Sequence, residues 1–126
     1  MPTVAPMVAI VDDDVAMRKS LERLLQASGF DTTTFACGQD FLDSDAATSA
    51  NAIVLDIHMK GMSGLELRQR LQASGSTRPV IFITAYDDEA TREQAMRLGC
   101  TAYLLKPFEG HHLTDALHRG LLSRAQ

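Results

Sequence analysis

The chain has 126 residues, 45% of them apolar and 22% charged, with a formal net charge of −4. These figures fit one globular domain with a core of its own and exclude both wholesale disorder and a comfortable division into two domains. The acidic balance, with no Lys/Arg cluster, argues against an intrinsic nucleic-acid surface, and no apolar run approaches the roughly 20 residues of a membrane helix.

Met7–Val11 is a short apolar run that ends in three acids, Asp12, Asp13 and Asp14. Met17, Leu21, Leu24, Leu25 and Ser28 then recur at helical spacing, with Arg18, Lys19, Glu22, Arg23 and Gln26 opposite, and Gly29 is the expected stop. Thr32–Phe35, β-branched and aromatic, predicts a second strand. Gly38–Leu42 predicts a short helix that gives way to the small and polar stretch Asp43–Asn51. Ala52–Leu55 is the third strand and delivers Asp56 into a loop. Leu65, Leu67 and Leu71, mixed with Arg68, Gln69 and Arg70, predict a helix ended by Gly75. Pro79 introduces a fourth strand, Val80–Ile83, and Glu89–Leu98 predicts a helix closed by Gly99. Ala102–Leu105 is the fifth strand, broken by Lys106-Pro107, and Leu113, Ala116, Leu117, Gly120 and Leu121 mark the last helix.

Five strands alternating with five helices imply an α/β fold, a doubly wound open parallel sheet covered on both faces. With no repeat, low-complexity tract or linker, the expectation is a single domain over residues 1–126, its core at about 7–122, and no output domain in the chain. The opening MPTVAPMVAI lacks the regions of a signal peptide. Cys37 and Cys100 have neither metal-ligand nor redox-motif spacing, so they read as reduced, packed thiols of a cytoplasmic protein.

In such a sheet the residues just past each strand meet at one edge. Here they are Asp12 and Asp13, Asp56, Thr84 and Lys106. Three clustered carboxylates repel, so the group either keeps a proton or binds a cation. An all-oxygen donor set suits Mg²⁺, with Mn²⁺ as an alternative. Asp14, beside the start of the first helix, reads instead as its N-cap. A carboxylate next to Mg²⁺ can attack phosphorus to form an acyl phosphate. The metal, Lys106 and the Thr84 hydroxyl with nearby backbone N–H groups then supply one neutralising partner for each remaining oxygen. Taken singly, Thr84 is a β-branched strand residue and Lys106 a snorkelling cation; the set carries the signal.

The motifs VDDD at 11–14, LDIHMKGMSG at 55–64, ITA at 83–85 and YLLKPF at 103–108 resemble the receiver domains of bacterial two-component response regulators. The resemblance spans roughly Val8 to Leu121, and it is closest to receivers that precede a helix-turn-helix output domain. It implies a flavodoxin-like strand order of 2-1-3-4-5 and a phosphoacceptor signalling domain, not an enzyme. It also implies Asp56 as acceptor, Asp13 as a direct Mg²⁺ ligand, Asp12 holding a coordinated water, and the His58 backbone carbonyl as a further ligand. Thr84 and Lys106 would sense the phosphoryl group. Tyr103 would turn inward as Thr84 moves and remodel the face of the fourth helix, fifth strand and fifth helix; the bland alternative is a half-buried strand aromatic with a wet hydroxyl. Lys60 stands where the family usually has proline, and His58 and Tyr86 occupy variable positions that tune attack by water on the acyl phosphate. His111 and His112 are expected in the first turn of the last helix.

The implied partners are a sensor histidine kinase and, after phosphorylation, a second copy of the chain. Neither membrane nor direct nucleic-acid contact is expected, and control of transcription would act through a separate output domain, unless the chain is a single-domain regulator. The main competing function is a Mg²⁺-dependent phosphatase or dehalogenase with Asp56 as nucleophile, but such enzymes carry a second Asp two residues on, where this chain has His58. An unphosphorylated binding module and a flavin carrier are further alternatives. The intact acidic set argues against the first, and repulsion of a flavin phosphate argues against the second.

Overall fold

A computed structural model describes residues 5–125. In chain order the elements are β1 (Met7–Val11), α1 (Val15–Ala27), β2 (Asp31–Phe35), α2 (Gly38–Leu42), α3 (Ala46–Ser49), β3 (Ala52–Asp56), α4 (Gly64–Ala73), β4 (Val80–Thr84), α5 (Glu89–Leu98), β5 (Ala102–Leu105) and α6 (Gly110–Ala125). The strands form one parallel sheet in the order β2-β1-β3-β4-β5.

Side chains alternate across the sheet, and each parity has its own helical cover. Ala9, Val11, Ile53, Leu55, Val80 and Phe82 pack with Phe41 of α2, Leu67 and Leu71 of α4 and Ala95 of α5. Val8, Ile10, Val54, Ile81 and Ile83 pack with Leu21 and Leu25 of α1 and Leu113 and Leu117 of α6. β3 and β4 are buried along their whole length, which explains their unbroken apolar sequence. Among the described residues, no helix is long and apolar enough to cross a membrane.

The expected elements form with small extensions. β3 runs on to include Asp56 and β4 to include Thr84. The polar stretch Asp43–Asn51 holds an additional turn, α3, whose entry is stabilised by the Ser44 hydroxyl accepting from the Ala46 N–H at 3.2 Å. The glycines expected to stop α1 and α4, Gly29 and Gly75, lie in the left-handed region at φ 95° and 87°.

Register brings the strand ends level. Val11 pairs with Leu55, Asp56 with Ile83 and Thr84 with Leu105. The residues that follow β1 and β5 therefore reach the same edge as Asp56 and Thr84. Helix caps anchor three of the loops there. Asp14 accepts from the N–H groups of Ala16 (2.9 Å) and Met17 (3.3 Å), as expected of an N-cap. Ser63 and Glu66 form a capping box for α4, and Asp88 caps α5 through the Ala90 N–H at 3.1 Å. The start of α4 also presses on β3, since a Cβ at Gly64 would lie 2.4 Å from the Asp56 carbonyl oxygen. No side chain fits at position 64 without moving the backbone that carries Asp56.

Candidate functional site

Asp12 leaves β1 fully buried, its N–H bonded to the Phe35 carbonyl at 3.1 Å. Its Oδ1 accepts from the Asp14 N–H at 2.9 Å, and its backbone carbonyl accepts from the Arg18 guanidinium at 2.7 Å. Asp56, at the end of β3, is only 5% exposed. Lys106 reaches over from the end of β5, its Nζ 3.2 Å from Asp12 Oδ2 and 3.7 Å from Asp56 Oδ2. The Lys106 N–H is held by the Thr84 carbonyl at 2.7 Å, and a cis peptide to Pro107 follows. Asp13 is exposed, and its Oδ2 accepts from the Lys60 backbone N–H at 3.2 Å.

Carboxylate oxygens of Asp12, Asp13 and Asp56 all lie within 4.8 Å of one another. Three acids against one ammonium leave the pocket with an excess of negative charge. The Asp56 carboxyl is pushed up to about 6, by burial first and the Asp12 charge second, against the opposing pull of Lys106 and the His58 backbone N–H. A site of hard oxygen donors that strains to keep its own charge fits a small divalent cation such as Mg²⁺.

Thr84 is fully buried beside these groups, but its hydroxyl faces its own loop. It accepts from the Tyr86 N–H at 3.1 Å and lies 3.3 Å from the Tyr86 carbonyl as donor. His58 and Tyr86 meet edge to face, ring centroids 4.9 Å apart, and both are exposed. The Tyr103 ring is half-buried, and its hydroxyl is shielded from solvent with no hydrogen-bond partner among the described residues, so the wet-hydroxyl expectation does not hold. The Arg92 guanidinium lies 5.4 Å from the Tyr103 ring centroid and pairs with Asp87 at 2.6 Å. Burial raises the Tyr103 phenol, with Arg92 opposing. A groove of about 720 Å³ runs along α5, β5 and α6, lined by Arg92, Met96, Tyr103, Phe108 and His112.

The structure thus brings together Asp12, Asp13, Asp56 and Lys106, sets Thr84 beside them with its hydroxyl otherwise engaged, and leaves Tyr103 on β5, paired with Phe82 of β4 and lying under Arg92. His111 and His112 lie in the first turn of α6, ring centroids 4.3 Å apart. Sequence reasoning missed Arg18 on the Asp12 carbonyl, Arg92 on Tyr103, the Lys60 N–H on Asp13 and the close approach at Gly64. Only Gly64 left a trace, as a glycine directly after a serine cap.

Residues 8–118 match the family described as the response regulator receiver domain. The chain is 38% identical over 117 residues to the transcriptional regulatory protein TdiR of Thauera aromatica, covering 93% of this chain and 52% of that protein. It is 40% identical over 114 residues to the transcriptional regulatory protein FixJ of Bradyrhizobium diazoefficiens, covering 90% of this chain and 56% of that one. The solved structure of response regulator StyR superimposes with a TM-score of 0.88 at 40% identity, over 97% of this chain and 62% of that chain. The chain therefore spans little more than half the length of the curated relatives it matches.

Proposed function

Because the chain belongs to the response regulator receiver family, and so is a signalling domain rather than an enzyme, we propose that Asp56 accepts a phosphoryl group from a histidine kinase and that the modified domain switches an output. The observation that carries this reading is the convergence of Asp12, Asp13, Asp56 and Lys106 at one end of the sheet.

In the transfer, an Asp56 carboxylate oxygen forms a bond to phosphorus while the phosphorus–nitrogen bond of the phosphohistidine breaks, and the imidazole nitrogen keeps that electron pair. Asp13, Asp56 and the His58 carbonyl, with Asp12 beside them, would hold Mg²⁺ or Mn²⁺. When bound, the metal supplies positive charge against the phosphoryl oxygens. Lys106, already 3.7 Å from Asp56, takes a second oxygen.

A phosphoryl oxygen is a stronger acceptor for the Thr84 hydroxyl than the Tyr86 carbonyl it now faces at 3.3 Å. Thr84 turns toward it and releases the Tyr86 backbone, Tyr103 shifts into the vacated space, and the α5-β5-α6 face is remodelled. The charge change biases a pre-existing equilibrium. His58 and Tyr86, ring against ring at 4.9 Å, border the path of water to the acyl phosphate and tune its lifetime. The relatives are transcriptional regulatory proteins, so the output is transcription, acting through a DNA-binding domain other than this one. The remodelled face also serves a phosphorylation-dependent homodimer, and the setting is cytoplasmic.

The test is incubation with Mg²⁺ and acetyl phosphate, followed by intact mass. One phosphoryl group is expected on the unmodified protein, and none on Asp56→Asn or with a chelator present. Labelling that persists in Asp56→Asn contradicts the acceptor assignment. Rapid multi-turnover hydrolysis of diverse phosphate esters points to the hydrolase alternative instead.

A further inference from the structure

The three carboxylates of the site are not equally fixed. Asp12 is buried and held by the Asp14 N–H and the Lys106 ammonium. Asp56 is enclosed at the end of β3. Asp13 is exposed, and among the described residues its side chain makes one hydrogen bond, from the Lys60 backbone N–H at 3.2 Å. That bond joins residues 47 apart in sequence and ties the β1–α1 loop to the β3–α4 loop.

We propose that the Lys60 backbone N–H is a positioning group for Asp13, holding its carboxylate in the orientation that receives the divalent cation. The proposal rests on the reading of Asp13 as a metal ligand. An exposed carboxylate with free side-chain torsions loses conformational entropy when it is fixed, and a group that fixes it beforehand removes that cost from metal binding. The N–H occupies one lone-pair direction of Oδ2, leaving Oδ1 and the remaining lone pairs for a cation. Gly61, in the left-handed region at φ 75°, turns the loop immediately after the donor.

The device is available only because position 60 is not proline. A proline there would stiffen the loop but has no N–H to give. The lysine side chain is a separate matter, since the bond comes from the backbone and its charge plays no part. The chemistry therefore separates cleanly into Lys60→Ala, which keeps the N–H and loses the cation, and Lys60→Pro, which loses both.

The experiment measures Mg²⁺ affinity of the metal-free protein by calorimetry for the unmodified chain, Lys60→Ala, Lys60→Pro and Asp13→Ala. Loss of a group that orients a ligand costs on the order of 10-fold in metal affinity, so Lys60→Pro should weaken binding by about that factor while Lys60→Ala binds at least as tightly as the unmodified chain. Amide proton shifts, followed without metal, give a second readout that does not depend on the proline variant folding. The Lys60 amide resonance should move upfield in Asp13→Ala. Equal Mg²⁺ affinity of Lys60→Pro and Lys60→Ala, or a Lys60 amide indifferent to Asp13→Ala, overturns the proposal. If Asp13→Ala binds Mg²⁺ as the unmodified protein does, the metal-ligand reading fails and takes the proposal with it. If Asp13→Ala weakens binding and Lys60→Pro does not, only the positioning role falls.

Discussion

Asp56→Asn is expected to stabilise the metal-free protein at pH 7, by about 2–3 kcal/mol, although it removes the proposed phosphoacceptor. Burial and the neighbouring Asp12 charge raise the Asp56 carboxyl from 3.8 to about 6 in the folded chain. Folding therefore resists its ionisation. A group raised above its unfolded value adds stability that is complete below about pH 3.8 and is lost as pH climbs through about 6. The gain from Asp56→Asn should accordingly be small near pH 4 and reach its plateau above pH 7. Urea unfolding of both proteins across that range measures it. Comparing the two cancels other acids, including Asp88, which the Thr91 hydroxyl and nearby backbone N–H groups hold below its usual range. Saturating Mg²⁺ should reverse the order of stability, because it binds the ionised native site and not the unfolded chain. A gain that is flat with pH would mean that the asparagine acts through packing and not through charge.

Lys106→Met should be damaging for the complementary reason. Lys106 is only 16% exposed and is the one cation within ion-pair distance of Asp12 and Asp56 among the described residues. Removing it leaves two buried carboxylates facing each other without compensation, and breaking a buried pair in this way costs about 3–5 kcal/mol. The cost falls as Asp56, whose carboxyl is already raised to about 6 by burial and the Asp12 charge, takes up its proton, so the variant should lose most stability at pH 8 and markedly less at pH 5. Methionine keeps most of the aliphatic stem, so lost packing is a minor part. Unfolding midpoints at the two pH values decide the matter, and an equal loss at both would assign Lys106 a packing role.

Much of the arrangement of this site is legible in the amino-acid sequence. A parallel sheet aligns its strand ends, so Asp12, Asp13, Asp56, Thr84 and Lys106 could be placed together from the ends of apolar runs alone, and the register Val11 with Leu55 and Thr84 with Leu105 is what makes that placement work. The four residues of α3 are too few for a helical period to show. Arg92 over Tyr103 depends on how α5 lies against β5, which periodicity does not report. The Lys60 contribution comes from a main-chain N–H, a group that every residue except proline carries, so no residue type announces it. The position of Thr84 at this edge is legible in the sequence, whereas the engagement of its hydroxyl with Tyr86 is not, because it depends on the path of the following loop.

The most direct test of the central claim is to locate the bond. After labelling with Mg²⁺ and acetyl phosphate, borohydride reduces an acyl phosphate to a primary alcohol, and peptide mass mapping reads out where that alcohol lies. The account predicts a single modified peptide, reduced at position 56 and absent when the phosphodonor is omitted. Reduction at Asp12 or Asp13, or a label that resists borohydride as a serine or threonine ester would, contradicts it.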